Sequence, residues 1–256
     1  MPHNSFKAAL RDGRRQLGLW CTLPGSFATE VVAGAGYDWL LFDTEHSPGD
    51  PLTVLPQLQA AAGYHSVAPV VRPAANDTVL IKRFLDIGAQ SLLIPYVQNA
   101  DEARAAVRAT RYPPDGIRGV SALTRATRFG READYFAKAA DDICLLVQIE
   151  TQEALDNLEA IAAVEGVDGL FVGPADLSAS LGYGAAQTHP DMRAKVVETI
   201  RRIKAAGKPA GLLTADTVLQ KSALEAGVDF LALGVDAGLL ARASENLLKA
   251  GRDLAG

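Results

Sequence analysis

Short apolar runs rich in leucine, valine and isoleucine alternate along this chain with longer segments in which apolar positions recur at helical spacing. A short, nearly continuous apolar run is typical of a strand that is buried on both faces of a parallel sheet. The runs therefore predict eight strands, at Gly18–Thr22, Trp39–Phe42, Ser66–Val71, Ser91–Ile94, Ile143–Ile149, Gly169–Val172, Ala210–Leu213 and Phe230–Leu233.

The longer segments between these strands predict helices. Several of them end at a glycine just before the next strand, namely Gly63, Gly88, Gly207 and Gly227. Glycine relaxes the left-handed turn that closes a helix, so these positions mark helix-to-strand junctions. The predicted helices are Thr53–Ala62, Thr78–Ile87, Asp101–Thr110, Thr151–Ala163, Asp191–Ala206, Ala215–Ala226 and Ala237–Ala250.

Strands that each lead into a helix predict an α/β fold, a closed (β/α)8 or TIM barrel, and 256 residues suit a single barrel domain over residues 1–256. A doubly wound open sheet is the alternative. That fold more often has a glycine-rich phosphate turn after its first strand, where this chain reads Leu23-Pro24-Gly25-Ser26-Phe27. We therefore predict the barrel.

The segment from Arg111 to Asp142 interrupts the alternation of strands and helices. A connection of this length is either a lid or subunit contact, or a solvated excursion that contains a helix. It carries four arginines, namely Arg118, Arg125, Arg128 and Arg131.

Composition narrows the range of partners. The chain has 25 basic and 30 acidic residues and a net charge of −5, with no basic patch, so neither nucleic acid nor an anionic membrane is expected to bind. No apolar run reaches the roughly 18 residues that cross a bilayer. The stretch Met1–Lys7 lacks the apolar core of a signal peptide. Cys21 and Cys144 lie in apolar runs, as reduced core cysteines of a cytoplasmic protein do.

Polar residues follow several strands at the C-terminal end, where the active site of such a barrel is built. The second strand runs into Asp43-Thr44-Glu45-His46, the third ends at Arg72, the fifth ends with Gln148-Ile149-Glu150, and the sixth is followed by Asp176. Acids, a histidine and an arginine are thus predicted to converge on one rim. The last two strands offer Thr214, Asp216, Gly234 and Asp236.

Glu150 and Asp176 end or follow consecutive strands, so their carboxylates are expected side by side. Mg²⁺ binds through one or two carboxylates together with water and substrate oxygens, which favours a metal site here. The alternative is that each carboxylate caps the helix or turn that follows it.

His46 is the histidine placed to act as a general base near neutral pH, although a structural pairing with a nearby carboxylate is the alternative. Arg72 at a barrel mouth predicts an anionic partner such as a carboxylate or an enolate, or else an internal salt bridge to Asp43 or Glu45. No lysine lies at a predicted strand end, and Lys208 precedes strand seven on the opposite face. Schiff-base chemistry is therefore not expected, and a divalent metal is the expected Lewis acid.

Several motifs occur together and in order along nearly the whole chain: Asp43-Thr44-Glu45-His46-Ser47-Pro48, Val70-Val71-Arg72-Pro73, Thr110-Arg111-Tyr112-Pro113-Pro114, Gly116-Ile117-Arg118-Gly119, Val147-Gln148-Ile149-Glu150-Thr151 and Val172-Gly173-Pro174-Ala175-Asp176-Leu177-Ser178. With them the chain resembles the class II pyruvate aldolases of the HpcH/HpaI family. That family includes 4-hydroxy-2-oxoheptanedioate aldolase and 2-dehydro-3-deoxyglucarate aldolase.

The resemblance implies a metal-dependent lyase in which Glu150 and Asp176 hold Mg²⁺, Mn²⁺ or Co²⁺. His46 would be the base and Arg72 would stabilise the enolate. Asp86 would raise the basicity of His46, with Asp43 as a second candidate partner. The implied substrate-binding residues are Arg72, Gln148, Gly173, Pro174, Ala175, Asp176 and Leu213.

The implied reaction is reversible cleavage of 4-hydroxy-2-oxoacids, such as 4-hydroxy-2-oxoheptanedioate, into pyruvate or hydroxypyruvate and an aldehyde. For an acidic aldehyde, Arg125 or Arg128 is a candidate partner, with a surface role as the alternative. Rival readings are an acyl-CoA lyase of the malyl- or citramalyl-CoA type and a non-catalytic barrel that binds a carboxylate. The family assembly is a hexamer, a trimer of dimers whose C-terminal helix, here Ala237–Ala250, packs on a neighbouring subunit.

Overall fold

The computed structural model describes residues 4–184 and 186–256 and contains a closed barrel of eight parallel strands in chain order. This confirms the predicted (β/α)8 architecture, and every strand overlaps the one predicted at that place. The strands are β1 Gln16–Cys21, β2 Trp39–Asp43, β3 Ala68–Arg72, β4 Ser91–Ile94, β5 Cys144–Ile149, β6 Gly169–Val172, β7 Ala210–Leu213 and β8 Phe230–Val235. Of the N-terminal stretch predicted to lack a signal peptide, Met1–His3 lie outside the described residues.

Helices surround the barrel and follow its strands, but the sequence predicted only part of them. The described helices are α1 Ser5–Arg11, α2 Ser26–Ala33, α3 Pro51–Ala61, α4 Thr78–Asp86, α5 Ala100–Thr110, α6 Tyr135–Asp142, α7 Gln152–Asp156, α8 Leu158–Ala162, α9 Pro174–Ser180, α10 Pro190–Ala205, α11 Thr217–Glu225 and α12 Asp236–Ala255. The predicted helix Thr151–Ala163 is wrong as one element, because it is divided at Asn157 into α7 and α8. The helices α1, α2 and α9 were not predicted, and α6 was expected only as a helix without bounds, in one of the two alternatives for the long connection.

Several helices begin at a polar side chain that accepts backbone N–H groups of the first turn. Asp50 caps α3, Asp77 caps α4, Asn99 caps α5 and Asp216 caps α11. These caps satisfy N–H groups that have no partner inside the helix, and so they fix where each helix starts. All four lie just beyond a strand, on the face of the barrel that carries the strand ends.

Aromatic side chains close the opposite end of the barrel. Phe6 of α1 packs on Trp39 and Phe230, with ring centroids 5.8 Å and 5.6 Å away, and Phe171 lies 5.9 Å from Phe230. Asn4 fastens α1 to this end, since its side-chain amide donates to Ser91 Oγ at 3.0 Å. With this end filled, access to the interior is left to the face at the C-terminal ends of the strands.

The long connection after α5 contains the helix α6. A helix in this connection was part of one of the two predicted alternatives, the solvated excursion. Within it Arg118 is buried, with its guanidinium 4.6 Å from the ring centroid of Tyr112 and 5.7 Å from that of Tyr135. Cys21 and Cys144 are free and buried, as predicted. Among the described residues, no helix is both long and apolar enough to span a membrane.

A substitution at Gly211 tests how tightly the interior of the barrel is packed. A Cβ there would overlap the ring of Phe230 and lie 2.6 Å from Phe171 Cδ2. We expect Gly211→Ala to lower the free energy of unfolding by about 1–3 kcal/mol, since extra volume in a packed core forces strain. Denaturant unfolding followed by circular dichroism measures the change. Gly238→Ala is the control, because no heavy atom lies within 4 Å of that Cβ and the site is helical. Equal stability of the two variants would contradict tight packing at Gly211.

Candidate active site

A cavity of ≈ 610 Å³ opens at the C-terminal ends of the strands. The structure brings most of the predicted site residues to it. The predicted residues that line it are His46, Arg72, Gln148, Glu150, Gly173, Pro174, Ala175, Asp176 and Leu213. No lysine is among the described residues of this lining, which agrees with the prediction that Schiff-base chemistry is not used.

Arg72 and Asp43 form a buried bidentate ion pair at the floor of the cavity. The register of β2 and β3 places the two residues opposite each other. Arg72 Nε donates to Asp43 Oδ1 at 2.8 Å and Nη2 donates to Oδ2 at 2.7 Å. Burial alone would raise the pKa of Asp43, but the hydrogen bonds and charge of Arg72 outweigh it and hold that pKa below its usual range. Asp43 is therefore a carboxylate at neutral pH, and it fixes the plane of the guanidinium.

Two further groups hold the same guanidinium. Glu45 Oε2 lies 2.6 Å from Arg72 Nη1, and Arg72 Cζ lies 4.7 Å from the ring centroid of Trp20. Trp20 Nε1 donates to Asp43 Oδ2 at 3.2 Å, which ties the ring to the ion pair. A charge stacked on an aromatic face and paired in its plane has little freedom to move.

Gln148 links this ion pair to Glu150. Its Oε1 accepts from Arg72 Nη1 at 3.3 Å, and its Nε2 donates to Glu150 Oε1 at 2.7 Å. The backbone N–H of Tyr96 donates to Glu150 Oε2 at 3.1 Å. Tyr96 has a left-handed backbone, with φ 56°, which is rare outside glycine, Asn and Asp. Among the described residues, the hydrogen bonds that Glu150 accepts thus come from neutral groups.

Glu150 is a buried carboxyl in a field of other carboxylates. Burial raises its pKa to about 7, and the charges of Glu45 and Asp176 act in the same direction, while the N–H of Tyr96 and the charge of Arg72 act against it. Gly173 makes room for it, since a Cβ there would lie 2.6 Å from Glu150 Cγ. Burial likewise raises the pKa of Glu45, with the charge of Asp176 adding to the effect. The carboxylates that act on Glu150 and Glu45 thus outnumber the guanidinium of Arg72, although it lies close to both.

The donor set has the chemistry of a site for a hard divalent cation. Among the described residues, no group of three or more His, Cys, Asp and Glu side chains is arranged to hold a metal by itself. Two carboxylates completed by water and substrate oxygens are what Mg²⁺ commonly takes. The buried Glu150, without a cationic hydrogen-bond partner in the described chain and next to Asp176, fits such an ion.

His46 lies at the exposed edge of the cavity, directly after Glu45. The acid whose charge is coupled to it is Glu45. Asp43, the second candidate partner, is instead engaged through both oxygens by Arg72. An exposed imidazole at the mouth is free to reach a substrate proton.

Three predicted residues lie away from this cavity. Asp86 ends α4, and its Oδ1 accepts from Arg118 Nη2 at 2.7 Å, so the structure does not bring it to His46. Its proposed role stays a prediction. Arg125 and Arg128 line a separate cavity of ≈ 340 Å³ and not the one that contains Arg72.

Trp20 in the cavity lining, and Tyr96 and Asp236 beside it, had no assigned role in the sequence analysis. Trp20 was visible at the end of the first strand but has the pattern of a core residue. Tyr96 contributes a backbone N–H, which leaves no signal in side-chain chemistry. Asp236 had been noted just beyond β8. Its carboxylate accepts from Thr22 N at 2.8 Å and from Leu23 N at 3.2 Å, which joins the ends of β1 and β8.

Comparison with known proteins agrees with this site. The family model described as HpcH/HpaI aldolase/citrate lyase matches residues 16–243. A pyruvate aldolase of Rhizobium etli is 63% identical over 247 residues, which are 96% of this chain and 97% of that protein. A 4-hydroxy-2-oxo-heptane-1,7-dioate aldolase of Escherichia coli is 59% identical over 245 residues, 95% of this chain and 93% of that one.

A crystal structure of an HpcH/HpaI aldolase/citrate lyase family protein from Burkholderia cenocepacia superposes with a TM-score of 0.93 at 42% identity, covering 97% of this chain and 99% of that chain. Family model, relatives and fold agree over nearly the full length. The chain therefore belongs to the HpcH/HpaI aldolase/citrate lyase family and is an aldolase of that family.

Proposed function

We propose that this aldolase uses a divalent metal ion to cleave 4-hydroxy-2-oxoacids reversibly into pyruvate, or hydroxypyruvate, and an aldehyde. The observation that carries the proposal is Glu150, a carboxyl that is 2% exposed in the cavity and subject to the charges of Glu45 and Asp176. The similarity to the pyruvate and 4-hydroxy-2-oxo-heptane-1,7-dioate aldolases supports the choice of substrate class.

Glu150 and Asp176 would hold the ion, as Mg²⁺, Mn²⁺ or Co²⁺. When bound, the ion would supply a Lewis acid that polarises the keto group of the substrate and acidifies the adjacent C–H. Gln148 and the backbone at Ala175 would seat the oxoacid, because both line the cavity beside Glu150. Gly173, Pro174 and Leu213 complete the proposed wall of this seat.

We assign the transfer of the proton to His46 and the stabilisation of the developing negative charge to Arg72. His46 would take the proton of the 4-hydroxyl group as the C3–C4 bond breaks. Arg72 donates three hydrogen bonds to Asp43 and Gln148, and its guanidinium has five N–H groups. Its Nη1 also forms an ion pair with Glu45. The N–H groups that make none of these hydrogen bonds would donate to a substrate oxygen. A held, water-poor donor stabilises a developing oxyanion more strongly than water does.

The assembly and location remain part of the same proposal. Five leucines of α12 are exposed on the described chain, which supports packing of this helix on another copy in a homo-oligomer, a hexamer by resemblance. They are Leu239, Leu240, Leu247, Leu248 and Leu254. The two buried free cysteines support a reducing compartment such as the cytoplasm.

Pyruvate release from 4-hydroxy-2-oxoheptanedioate, coupled to lactate dehydrogenase, tests the metal. We expect excess EDTA to abolish release and added Mn²⁺ or Mg²⁺ to restore it, because the described lining of the cavity has no lysine that could form a Schiff base. Zn²⁺-free buffer and a coupling-enzyme control with added pyruvate exclude an artefact of the assay. Activity that persists at full rate in EDTA would contradict the proposed metal mechanism.

Replacement of Glu150 by glutamine should change how stability depends on pH. A glutamate in an unfolded chain titrates near 4.3, below the value of about 7 in the folded protein. The folded state therefore binds the proton more tightly. The resulting stabilisation is complete below pH about 4.3 and is lost as the pH rises through 7. Between pH 5 and 8, metal-free Glu150→Gln should gain about 2–3 kcal/mol relative to the parent.

Denaturant unfolding in EDTA at the two pH values measures this gain, and the pH-independent effect of the substitution cancels in the comparison. Glu153→Gln is the control, since its side chain is exposed to water. At pH 8, added Mn²⁺ should raise the melting temperature of the parent and not of Glu150→Gln. A parallel pH dependence of parent and Glu150→Gln would argue against a buried, proton-binding Glu150.

Replacement of His46 by alanine should lower kcat for pyruvate release by about 10²-fold or more, since general-base catalysis typically supplies 10²–10⁴. The side chain is exposed, so the melting temperature should stay unchanged. His65→Ala, also exposed but outside this cavity, is the matched control. Unchanged kcat in His46→Ala would favour a barrel in which this histidine has no catalytic part.

A further inference from the structure

Tyr96 has a backbone conformation that its own side chain does not explain. It lies in the loop between β4 and α5, and its φ of 56° falls in the left-handed region, where a residue with a Cβ is strained. Its ring is 51% exposed, so the packing of a buried side chain does not account for this φ. Such strain persists only where the surrounding structure enforces it, and it clusters at functional sites.

The residues on both sides of Tyr96 are held in place. Pro95 and Val97 are buried, and the carbonyl of Gln98 accepts from Asn157 Nδ2 at 3.0 Å. Proline has no backbone N–H, so the first N–H group after β4 is that of Tyr96. With its neighbours fixed, an ordinary negative φ at Tyr96 would rotate this N–H or displace the buried chain.

The N–H of Tyr96 points at one oxygen of the Glu150 carboxylate. It donates to Oε2 at 3.1 Å, while the other oxygen, Oε1, accepts from Gln148 Nε2 at 2.7 Å. One donor on each oxygen fixes the plane of the carboxylate. Each oxygen has two lone pairs, so both keep capacity for a further partner.

The same loop makes a second contact just after β5. Gln98 Oε1 accepts from Thr151 Oγ1, and Thr151 is the residue that follows Glu150. The loop after β4 thus contacts two consecutive residues after β5, one through a backbone N–H and one through a side chain. These two contacts fix the position of the strained residue relative to the carboxylate.

We propose that Tyr96 is a positioning residue whose left-handed backbone aims the N–H that orients Glu150 toward a divalent cation. The inference rests on the proposed function, in which Glu150 and Asp176 hold the ion. The side chain of Tyr96 has no part in this role. Glycine or asparagine, which adopt the left-handed region readily, therefore serve equally well at position 96, whereas a β-branched residue does not.

Binding of Mn²⁺ to the metal-free protein, followed by electron paramagnetic resonance of the free ion, tests the inference. Valine and asparagine both remove the ring and are similar in size, but only asparagine tolerates a left-handed φ. We expect Tyr96→Val to raise the Kd for Mn²⁺ by about tenfold or more, as the loss of a hydrogen bond behind a metal ligand typically does. Tyr96→Asn and Tyr96→Gly should stay within about twofold of the parent. Tyr96→Ala, with a smaller backbone penalty than valine, should raise the Kd to a lesser extent and replaces Tyr96→Val if that variant does not fold.

Phe129 provides a matched control. It is also an exposed aromatic residue with a left-handed backbone, at φ 59°, but it lines the separate cavity that contains Arg125 and Arg128. Phe129→Val carries a comparable backbone penalty, so it should lower the melting temperature of the metal-free protein and leave the Kd for Mn²⁺ unchanged. In the assay of pyruvate release, Tyr96→Val should need about tenfold more Mn²⁺ for half its maximal rate, with a smaller change in kcat at saturating Mn²⁺.

The outcomes separate this inference from the proposed function. An unchanged Kd in Tyr96→Val and Tyr96→Ala would overturn the inference. An equal loss of affinity in the valine, asparagine and glycine variants would also overturn it, because the ring and not the backbone would then matter. So would an equal loss in Phe129→Val, which would reflect a general effect of strain. A parent protein that binds Mn²⁺ no more tightly than Glu150→Gln would instead contradict the proposed metal site.

Discussion

The buried ion pair between Arg72 and Asp43 is the contact on which the cavity depends. Two charges removed from water are tolerated only when their geometry is good and their remaining hydrogen-bonding groups are satisfied. The parallel register of β2 and β3 meets the first condition by setting the residues opposite each other. Trp20 and Gln148 meet the second, and through Gln148 the pair also orients Glu150. A change in this register would displace every polar group on the floor.

The strands were predictable because each is buried on both faces and has an apolar run bounded by glycine or polar residues. The helices were less predictable than the strands, and for α2 and α9 the reason lies in the residues at the helix start. α2 begins after Gly25 and α9 after Gly173, and neither has a side-chain cap. Without a Ser, Thr, Asp or Asn at the N-cap position, the sequence lacks the usual sign of a helix N-terminus. This reason does not cover α1, which was missed although Asn4 caps it. Where caps exist, as at Asp77 and Asp216, the predicted helices begin within two residues of the observed ones.

The same distinction holds for the site. Residues at strand ends were predictable from the sequence, whereas groups placed by tertiary contacts were not. Residues at strand ends could be assigned to one rim from topology alone, because parallel strands in a barrel end on one face. Tyr96 could not, since it acts through a backbone N–H and its unusual φ is set by the fold. Gly173 was assigned to substrate, and the structure adds a steric reason for glycine, namely the space that Glu150 occupies. The contact between Asp86 and Arg118 joins segments that are distant in sequence, and no periodic pattern of residues indicates such a contact.

The distribution of charge in the cavity connects the protonation of Glu150 with the proposed metal. A cavity with more carboxylates than cations lowers its electrostatic energy by taking up a proton or a metal ion, and a Glu150 pKa of about 7 means that the two compete near neutral pH. The same excess of negative charge acts on anything else that enters. In the proposed function, the carboxylate and keto oxygens of a 2-oxoacid would meet the ion that Glu150 and Asp176 hold. One excess of negative charge therefore accounts both for the raised pKa of Glu150 and for the proposed uptake of a metal ion.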